Sequence, residues 1–173
     1  GTGTQKIVEQ LQALYPTARI IRMDNDTTSG KEGHYKILKT FAEHKADILV
    51  GTQMIAKGLD YPNVTLVGVI AADTTLNLPD YRSAERTFQL LTQVAGRAGR
   101  SDSPGKVVIQ TYTPDHYALE CAVKQDYRAF YHTEAAYRRH ALYPPYTVIS
   151  RLVISSKDAI AAEEAAKQIQ DKI

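Results

Sequence analysis

Two arginines at the end of a helical pattern are the residues of this chain whose types and spacing most clearly suggest a chemical function. Arg97 and Arg100 each follow a glycine in the stretch Gln-Val-Ala-Gly-Arg-Ala-Gly-Arg, which begins at Gln93. Glycines at 96 and 99 disfavour helix continuation and let the backbone approach a partner closely. Arginine adds a planar, permanently charged fork that matches phosphate oxygens. The stretch therefore predicts a contact with a nucleoside triphosphate, and a glycine-rich helix end with surface arginines is the alternative.

A second polar stretch follows a short apolar run. Residues 48–50 lead into Gly51, Thr52 and Gln53, and a Lys-Gly-Leu-Asp stretch occupies 57–60. Open α/β sheets bind ligands beyond the carboxyl ends of their strands, where a threonine hydroxyl and backbone donors can hold a nucleic-acid phosphate. A simple strand-ending turn is the alternative, but the tight turn and carboxylate at 57–60 exceed what a connection needs. We predict that Gly51, Thr52 and Gln53 contact a nucleic-acid backbone, and the resemblance described below implies that this nucleic acid is DNA.

Other parts of a complete ATP site are missing from the sequence. The phosphate-cradling pattern G-x-x-x-x-G-K-[ST] does not occur: Glu32 follows Gly30-Lys31, and Asn25 stands where the first glycine belongs. No adjacent Asp-Glu pair is present to hold magnesium. The cradle for the nucleotide phosphates is therefore missing from this chain, which is expected not to hydrolyse ATP alone.

Several further residues are weaker candidates. One cysteine, Cys121, and scattered histidines predict no metal site, and Cys121 is expected to be a small core residue. Asp24 and Asp26 could form a carboxylate pair, but capping of the following turn by Asp26 or Thr27 is favoured. A basic, tyrosine-rich segment could stack on single-stranded bases, but a helix packed on the rest of the domain is favoured. Its members are Arg128, Tyr131, Tyr137, Arg138, Arg139 and Tyr143.

The elements that must position these residues alternate between helix and strand. Apolar spacing predicts a helix over 5–15, with Thr4 as its N-cap and Pro16 as its stop. Short apolar runs predict strands, and three- to four-residue spacing predicts two further helices. The strands are 19–23, 47–50, 65–71 and 106–111, and the helices are 31–43 and 82–94. Near-continuous apolar strands alternating with helices predict an α/β fold with a mainly parallel sheet covered on both faces.

The character of the chain changes twice along its length. Residues 115–142 have helical spacing and no clear strand, and Pro144-Pro145 breaks any helix. Beyond it, an apolar strand at 148–154 and a helix from Asp158 are expected to open a further domain. We therefore predict a lobe at 1–114, a helical extension at 115–142 and the start of a truncated domain at 143–173. Neither end resembles a natural terminus, which suggests an excised fragment.

Composition restricts the function only weakly. The formal net charge is +2, well short of the strongly basic balance that alone indicates a nucleic-acid binder. No apolar run is long enough to cross a bilayer, and the N-terminus has no signal-peptide pattern. A cytoplasmic location is the expectation.

Residues 52–60 and 93–100 resemble motifs V and VI of superfamily-two helicases, whose second lobe carries a Q-x-x-G-R-x-G-R signature. The chain more narrowly resembles the primosomal replication-restart helicases of that superfamily. The resemblance covers essentially the whole chain. It is carried by Gly-Thr-Gly-Thr at 1–4, Arg-Met-Asp-Asn-Asp-Thr-Thr at 22–28, the stretch 51–62 and Tyr-Pro-Pro-Tyr at 143–146.

The resemblance implies a RecA-like second motor lobe of the three-layer, P-loop NTPase type. Arg97 and Arg100 would be catalytic, reaching the nucleotide phosphates across the interlobe cleft, one as an arginine finger. Gln93, Gly58 and Asp60 would join them in nucleotide binding or couple it to DNA contact.

The resemblance also implies the cofactors and partners of the parent protein. These are ATP with Mg²⁺, zinc in a module upstream of Gly1, a first helicase lobe in cis, forked or single-stranded DNA, primosome proteins and single-stranded DNA-binding protein. The implied activity is 3′-to-5′ unwinding in replication restart. Two alternatives remain open at this point: a non-catalytic nucleic-acid-binding or protein-docking module, and a related translocase of the same superfamily.

Overall fold

The computed structural model describes residues 3–24, 31–56, 64–96 and 105–172. Two compact units divide the chain, Gly1–Glu134 and Ala135–Ile173, and each is described by itself. The first unit alternates helix and strand and ends in helices, which confirms the α/β class. The predicted domain boundaries at 114 and 142 remain proposals.

The first half of the first unit is a parallel strand pair with a helix before each strand. The elements are α1 (Thr4–Leu14), β1 (Ile20–Met23), α2 (Lys31–Ala42) and β2 (Ile48–Gly51). The register runs from Ile20 opposite Ile48 to Met23 opposite Gly51. All four elements were predicted within two residues at each end, because their apolar periodicity is strong.

The start of α1 differs from the prediction. Gly3, not Thr4, is the N-cap, and no side chain caps the helix. The Thr4 hydroxyl instead donates to the carboxylate of Asp24. The expected cap is wrong because this carboxylate, distant in sequence, is the acceptor for the hydroxyl. The predicted stop is confirmed, since α1 ends at Leu14, two residues before Pro16.

The second half contains another parallel pair and a short helix. The elements are β3 (Leu66–Val69), α3 (Asp73–Leu76), α4 (Ser83–Ala95) and β4 (Lys106–Ile109). Leu66 lies opposite Lys106, and Val69 lies opposite Ile109. The described strands therefore form two separate parallel pairs rather than one continuous sheet.

Helices that follow β4 complete the main core. The segment at 115–142 forms α5 (Tyr117–Lys124) and α6 (Tyr127–His140), which confirms its helical prediction. The rings of Phe88 on α4 and Phe130 on α6 stack with centroids 4.1 Å apart. The buried cluster consists of Ala72, Leu76, Phe88, Leu91, Ala118, Leu119, Cys121, Ala122 and Phe130. The prediction that Cys121 is a core residue is confirmed.

The second unit contains the end of α6, a proline turn and α7 (Ala159–Gln170). Asp158 caps α7 by accepting a hydrogen bond from the backbone N–H of Ile160 at 2.9 Å. The strand expected at 148–154 is wrong: these residues have no strand pairing in the part of the chain that the structure describes. Val148 is 90% exposed, so the segment has neither a neighbouring strand nor a packed face to hold it.

Candidate functional site

The candidate DNA-contact residues lie at the carboxyl end of the first strand pair. Met23 and Gly51 are opposite each other at the ends of β1 and β2, so Asp24 and Thr52 follow at the same edge. Thr52 and Gln53 are both exposed. Their hydroxyl and amide groups are therefore accessible to a ligand from solvent.

Gly51 has a packing requirement of its own. A Cβ at this position would lie 2.3 Å from the carbonyl oxygen of Met23 and 2.8 Å from the side chain of Ile55. Both contacts are far shorter than van der Waals separation, so the two strands can approach this closely only at a glycine. Gly51 was predicted to contact DNA, and its close approach to β1 explains its presence without any ligand.

Asp24 is buried at the same edge, and its negative charge is paired. Arg22 Nε lies 3.1 Å from Asp24 Oδ2, and the Thr4 hydroxyl donates to the same oxygen. Pairing matters because an uncompensated buried carboxylate is costly and would repel a phosphate. The edge is therefore electrostatically compatible with a nucleic-acid backbone. Asp26, the other half of the suggested carboxylate pair, lies outside the described residues.

A hydrogen bond ties this edge to the second half of the unit. Gln53 Nε2 donates to Thr75 Oγ1 on α3 at 3.0 Å, and the 3₁₀ turn Gln53–Ala56 contacts α4. Thr75 was missed by the sequence analysis, because nothing in local spacing connects residue 53 to residue 75. The contact places the β2 end beside the helix that carries Gln93.

The last turn of α4 presents Gln93, whose side chain is exposed. Gly96 ends the helix in a right-handed conformation, with φ −68° and ψ −1°. A Cβ at Gly96 would meet the carbonyl oxygens of Thr92 and Gln93 at 3.5 and 3.9 Å, which is ordinary contact. Nothing described in the chain requires glycine here, in contrast to Gly51. A close approach by another molecule or lobe would explain it.

The end of α4 is electrostatically incomplete as a phosphate site. Carbonyl groups at a helix C-terminus carry partial negative charge, which disfavours anions. Any triphosphate at this end needs the cations that follow in sequence. Those cations, Arg97 and Arg100, lie outside the described residues, as do Gly58 and Asp60. Their predicted roles therefore stay predictions.

A second carboxylate, Asp73, is anchored where β3 and β4 end. It is buried and accepts hydrogen bonds from the Thr111 and Thr113 hydroxyls at 2.9 Å and from the Tyr112 N–H at 3.1 Å. Burial raises the pKa of Asp73, but these donors outweigh it and hold the pKa below its usual value. The carboxylate is fully engaged, so we assign it to holding this edge together.

The described residues contain no group of three or more His, Cys, Asp or Glu side chains arranged to hold a metal ion. Among the described helices, none combines the length and apolar character needed to cross a membrane.

Comparison with known proteins identifies one family and a set of close relatives. Residues 2–102 match the family described as Helicase conserved C-terminal domain. The chain is 58% identical over 169 residues to Replication restart protein PriA of Bacillus subtilis (strain 168), covering 98% of this chain and 21% of that protein. The proteins of the same name from Chlamydia pneumoniae and Synechocystis are 44% and 53% identical, over 99% and 84% of this chain and 23% and 18% of theirs. The chain thus spans about a fifth of the length of these curated relatives.

Proposed function

The chain belongs to the helicase conserved C-terminal domain family, and on that premise we propose that it is the second motor lobe of an ATP-dependent DNA helicase acting in replication restart. The observation that carries the proposal is the family match over residues 2–102, which includes both polar stretches at 51–60 and 93–100. The near full-chain similarity to proteins named for replication restart supports the biological setting.

In this proposal the lobe is RecA-like, a fold built from parallel strands connected by helices. The parallel direction of each pair supports it, and so does the helix preceding β1, β2 and β4. In such folds, ligands meet the carboxyl ends of the strands. Both the exposed Thr52 and the anchored Asp73 follow such ends.

The proposed DNA contact uses Thr52 and Gln53. Their exposed hydroxyl and amide can donate to phosphate oxygens, which fixes the position of a strand without reading its sequence. The paired charge of Asp24 keeps the edge from repelling the backbone. The hydrogen bond from Gln53 to Thr75 gives this contact a direct link to α3.

The proposed nucleotide contact uses Gln93, Arg97 and Arg100, together with Gly58 and Asp60. ATP with Mg²⁺ supplies a phosphoryl group whose developing charge can be stabilised by arginine, an effect worth about 10³- to 10⁵-fold in rate. The amide of Gln93 is exposed in the last turn of α4, and a Cβ at Gly96 would meet only ordinary contacts among the described residues. In this proposal these residues form one wall of the nucleotide site.

The rest of the machinery would belong to the longer protein. We propose that a first lobe in cis supplies the phosphate cradle, that zinc is bound upstream of Gly1, and that the substrate is forked or single-stranded DNA. Movement in the 3′-to-5′ direction, and contacts with primosome proteins and single-stranded DNA-binding protein, are parts of the same proposal.

ATP hydrolysis by the chain and by the full-length protein tests the assignment. We expect no hydrolysis by the chain alone and hydrolysis stimulated by single-stranded DNA in the full-length protein. Thr52→Val in the full-length protein should raise the DNA concentration needed for half-maximal stimulation. Hydrolysis by the chain alone would overturn the proposal. A full-length protein whose hydrolysis is indifferent to DNA would also overturn it and would favour the docking-module alternative.

A further inference from the structure

The short helix α3 is held at both ends and places one hydroxyl beside the candidate DNA-contact turn. Its first residue, Asp73, is bonded to the segment after β4, and its last residue, Leu76, lies in the main buried cluster. Between them, Thr75 Oγ1 accepts a hydrogen bond from Gln53 Nε2 at 3.0 Å. We propose that Thr75 is a positioning residue, whose hydroxyl holds the Gln53 side chain in the conformation that binds a nucleic-acid backbone.

Three donors fix the first residue of α3. The Asp73 carboxylate accepts hydrogen bonds from the hydroxyls of Thr111 and Thr113 and from the Tyr112 N–H. At the other end of the helix, Leu76 is 9% exposed and is part of the buried cluster to which α4 also contributes. Because α3 cannot shift without breaking these hydrogen bonds or opening the core, the hydroxyl between them has a fixed position.

The backbone that leads into α3 is strained. Ala71 has a φ of 55°, in the left-handed region that a residue with a Cβ adopts only at a cost in free energy. The next residue, Ala72, is buried, and its N–H donates to the carbonyl of Gln110 at 3.1 Å. Strained conformations persist where the surrounding structure determines them strongly. The placement of α3 is therefore set by its packing and not by the preference of its own connection.

Gln53 needs a fixed partner because its own turn restrains it weakly. It begins the short 3₁₀ turn Gln53–Ala56, and both Gln53 and Thr52 are exposed. A free glutamine side chain has many rotamers, and ordering it when a ligand binds costs free energy. The hydrogen bond to Thr75 removes part of that cost in advance. It uses only one of the two amide N–H groups of Gln53.

The hydrogen bond is expected to matter more for binding than for folding. Gln53 is exposed, so water would replace Thr75 as the partner of its amide, and the net gain to the fold is small. A ligand at Thr52 and Gln53 gains, in contrast, from each side chain that is ordered before it arrives. The inference rests on the proposed function, because it concerns the same DNA contact, and it adds a residue outside both polar stretches.

DNA-stimulated ATP hydrolysis by the full-length protein tests the role of Thr75. Thr75→Val keeps the shape of the side chain and removes its hydroxyl. The DNA concentration for half-maximal stimulation should rise about threefold to tenfold, as expected for one side chain that must be ordered on binding, and the maximal rate should change less. Thr75→Ser keeps a hydroxyl and should restore the unaltered value. The matched control is Thr74→Val, the same change at the neighbouring exposed threonine of α3.

Two further measurements separate positioning from a general effect on the fold. In a Gln53→Ala background, Thr75→Val should raise the half-maximal DNA concentration no further, because the hydrogen bond is already absent. Hydrogen exchange of residues 53–56 without DNA or nucleotide should be faster in Thr75→Val than in Thr74→Val, because the turn loses its bond to α3. Thermal melting of each variant establishes that it is folded.

The positioning role is overturned if Thr75→Val and Thr74→Val need the same DNA concentration, or if Thr75→Val keeps its full effect in the Gln53→Ala background. It is also overturned if Thr75→Ser behaves like Thr75→Val. A full-length protein that hydrolyses ATP without regard to DNA would instead overturn the proposed function. Hydrogen exchange needs no ligand, so it still decides whether Thr75 restrains the turn: equal exchange in Thr75→Val and Thr74→Val would show that it does not.

Discussion

The two halves of the first unit, α1 to β2 and β3 to α6, differ in how much apolar side chain they bury. In the first half the described buried apolar residues are Met23, Ala46 and Val50, and α1 buries no residue. In the second half, a cluster built from α3, α4, α5 and α6 includes both Phe88 and Leu91. Burial of apolar surface is the main stabilising contribution to folding, so the second half is expected to be the more stable.

The difference in packing suggests a different function for each half. The proposed DNA contact, Thr52 and Gln53, lies on the thinly packed half, whereas α4, which carries Gln93, is rooted in the dense core. Regions with few buried contacts open locally at lower free energy than a core does. A contact that must be made and released repeatedly is suited to the first half, and a fixed wall of a nucleotide site to the second.

Truncating one leucine in each half gives the largest expected contrast. Leu91→Ala removes a side chain that is 1% exposed, and should lower the free energy of unfolding by about 3 kcal/mol. Leu14→Ala, at the end of α1, removes a side chain that is 71% exposed, and should change it by less than about 0.5 kcal/mol. Urea unfolding of both variants measures the difference. Equal decreases in the free energy of unfolding would contradict the proposed difference in packing between the halves.

Gly51 and Gly96, one at each candidate site, are expected to differ in how much their substitution by alanine changes stability. Gly51→Ala forces a Cβ against the Met23 carbonyl and should destabilise the chain by about 1–3 kcal/mol. Gly96→Ala meets only ordinary contacts in a helical conformation and should leave stability unchanged or slightly raised. Thermal melting distinguishes them. If Gly96→Ala melts as early as Gly51→Ala, glycine at 96 has a folding role and the argument for close approach by a partner fails.

The smallest expected difference in stability is between variants of two carboxylates, Asp47 and Asp73. Hydrogen bonds from Arg19 lower the pKa of Asp47 to about 2, and the pKa of Asp73 is also lowered. Each ionised group therefore stabilises the fold above its unfolded pKa of about 4, and this contribution is lost as pH falls through the folded pKa.

Melting temperatures between neutral and acidic pH compare Asp73→Asn with Asp47→Asn. Asparagine at 73 keeps one acceptor oxygen and loses the other, so a buried donor is left unpaired and the melting temperature should fall. The Asp47 side chain is 45% exposed and its ion pair with Arg19 is screened by solvent, so Asp47→Asn should have the weaker effect, reduced further by salt. If Asp47→Asn lowered the melting temperature more than Asp73→Asn, the conclusion that Asp73 contributes more to stability would be wrong.

Local periodicity predicted the elements, because apolar spacing reports which side chains a helix or strand must bury. The strand at Ile20–Met23 and the helix at Ser83–Ala95 were found in this way. Periodicity alone wrongly predicted a strand at 148–154. Its apolar run satisfies the pattern of a strand, but a strand also needs a neighbouring strand, and residue spacing does not report whether one is present. The fold class could be predicted, while the pairing of strands could not.

The candidate site could be predicted only as far as its residue types. Residue type and spacing identified Thr52, Gln53 and Gln93 as candidates, and all three side chains are exposed in the structure. They could not give the contact between Gln53 and Thr75, which depends on tertiary placement. They also could not separate Gly51, needed inside the chain, from Gly96, which is not.

DNA-stimulated ATP hydrolysis by the full-length protein carrying Arg100→Ala is the most direct test of the proposed motor lobe. We expect ATP binding to be kept and stimulated hydrolysis to fall by at least about 10³-fold, because the proposed arginine contact stabilises charge only as the phosphoryl group transfers. Arg128→Ala, an exposed arginine on α6, is the matched control and should hydrolyse ATP normally. Unchanged turnover in Arg100→Ala would contradict the assignment of this chain as the arginine-donating motor lobe.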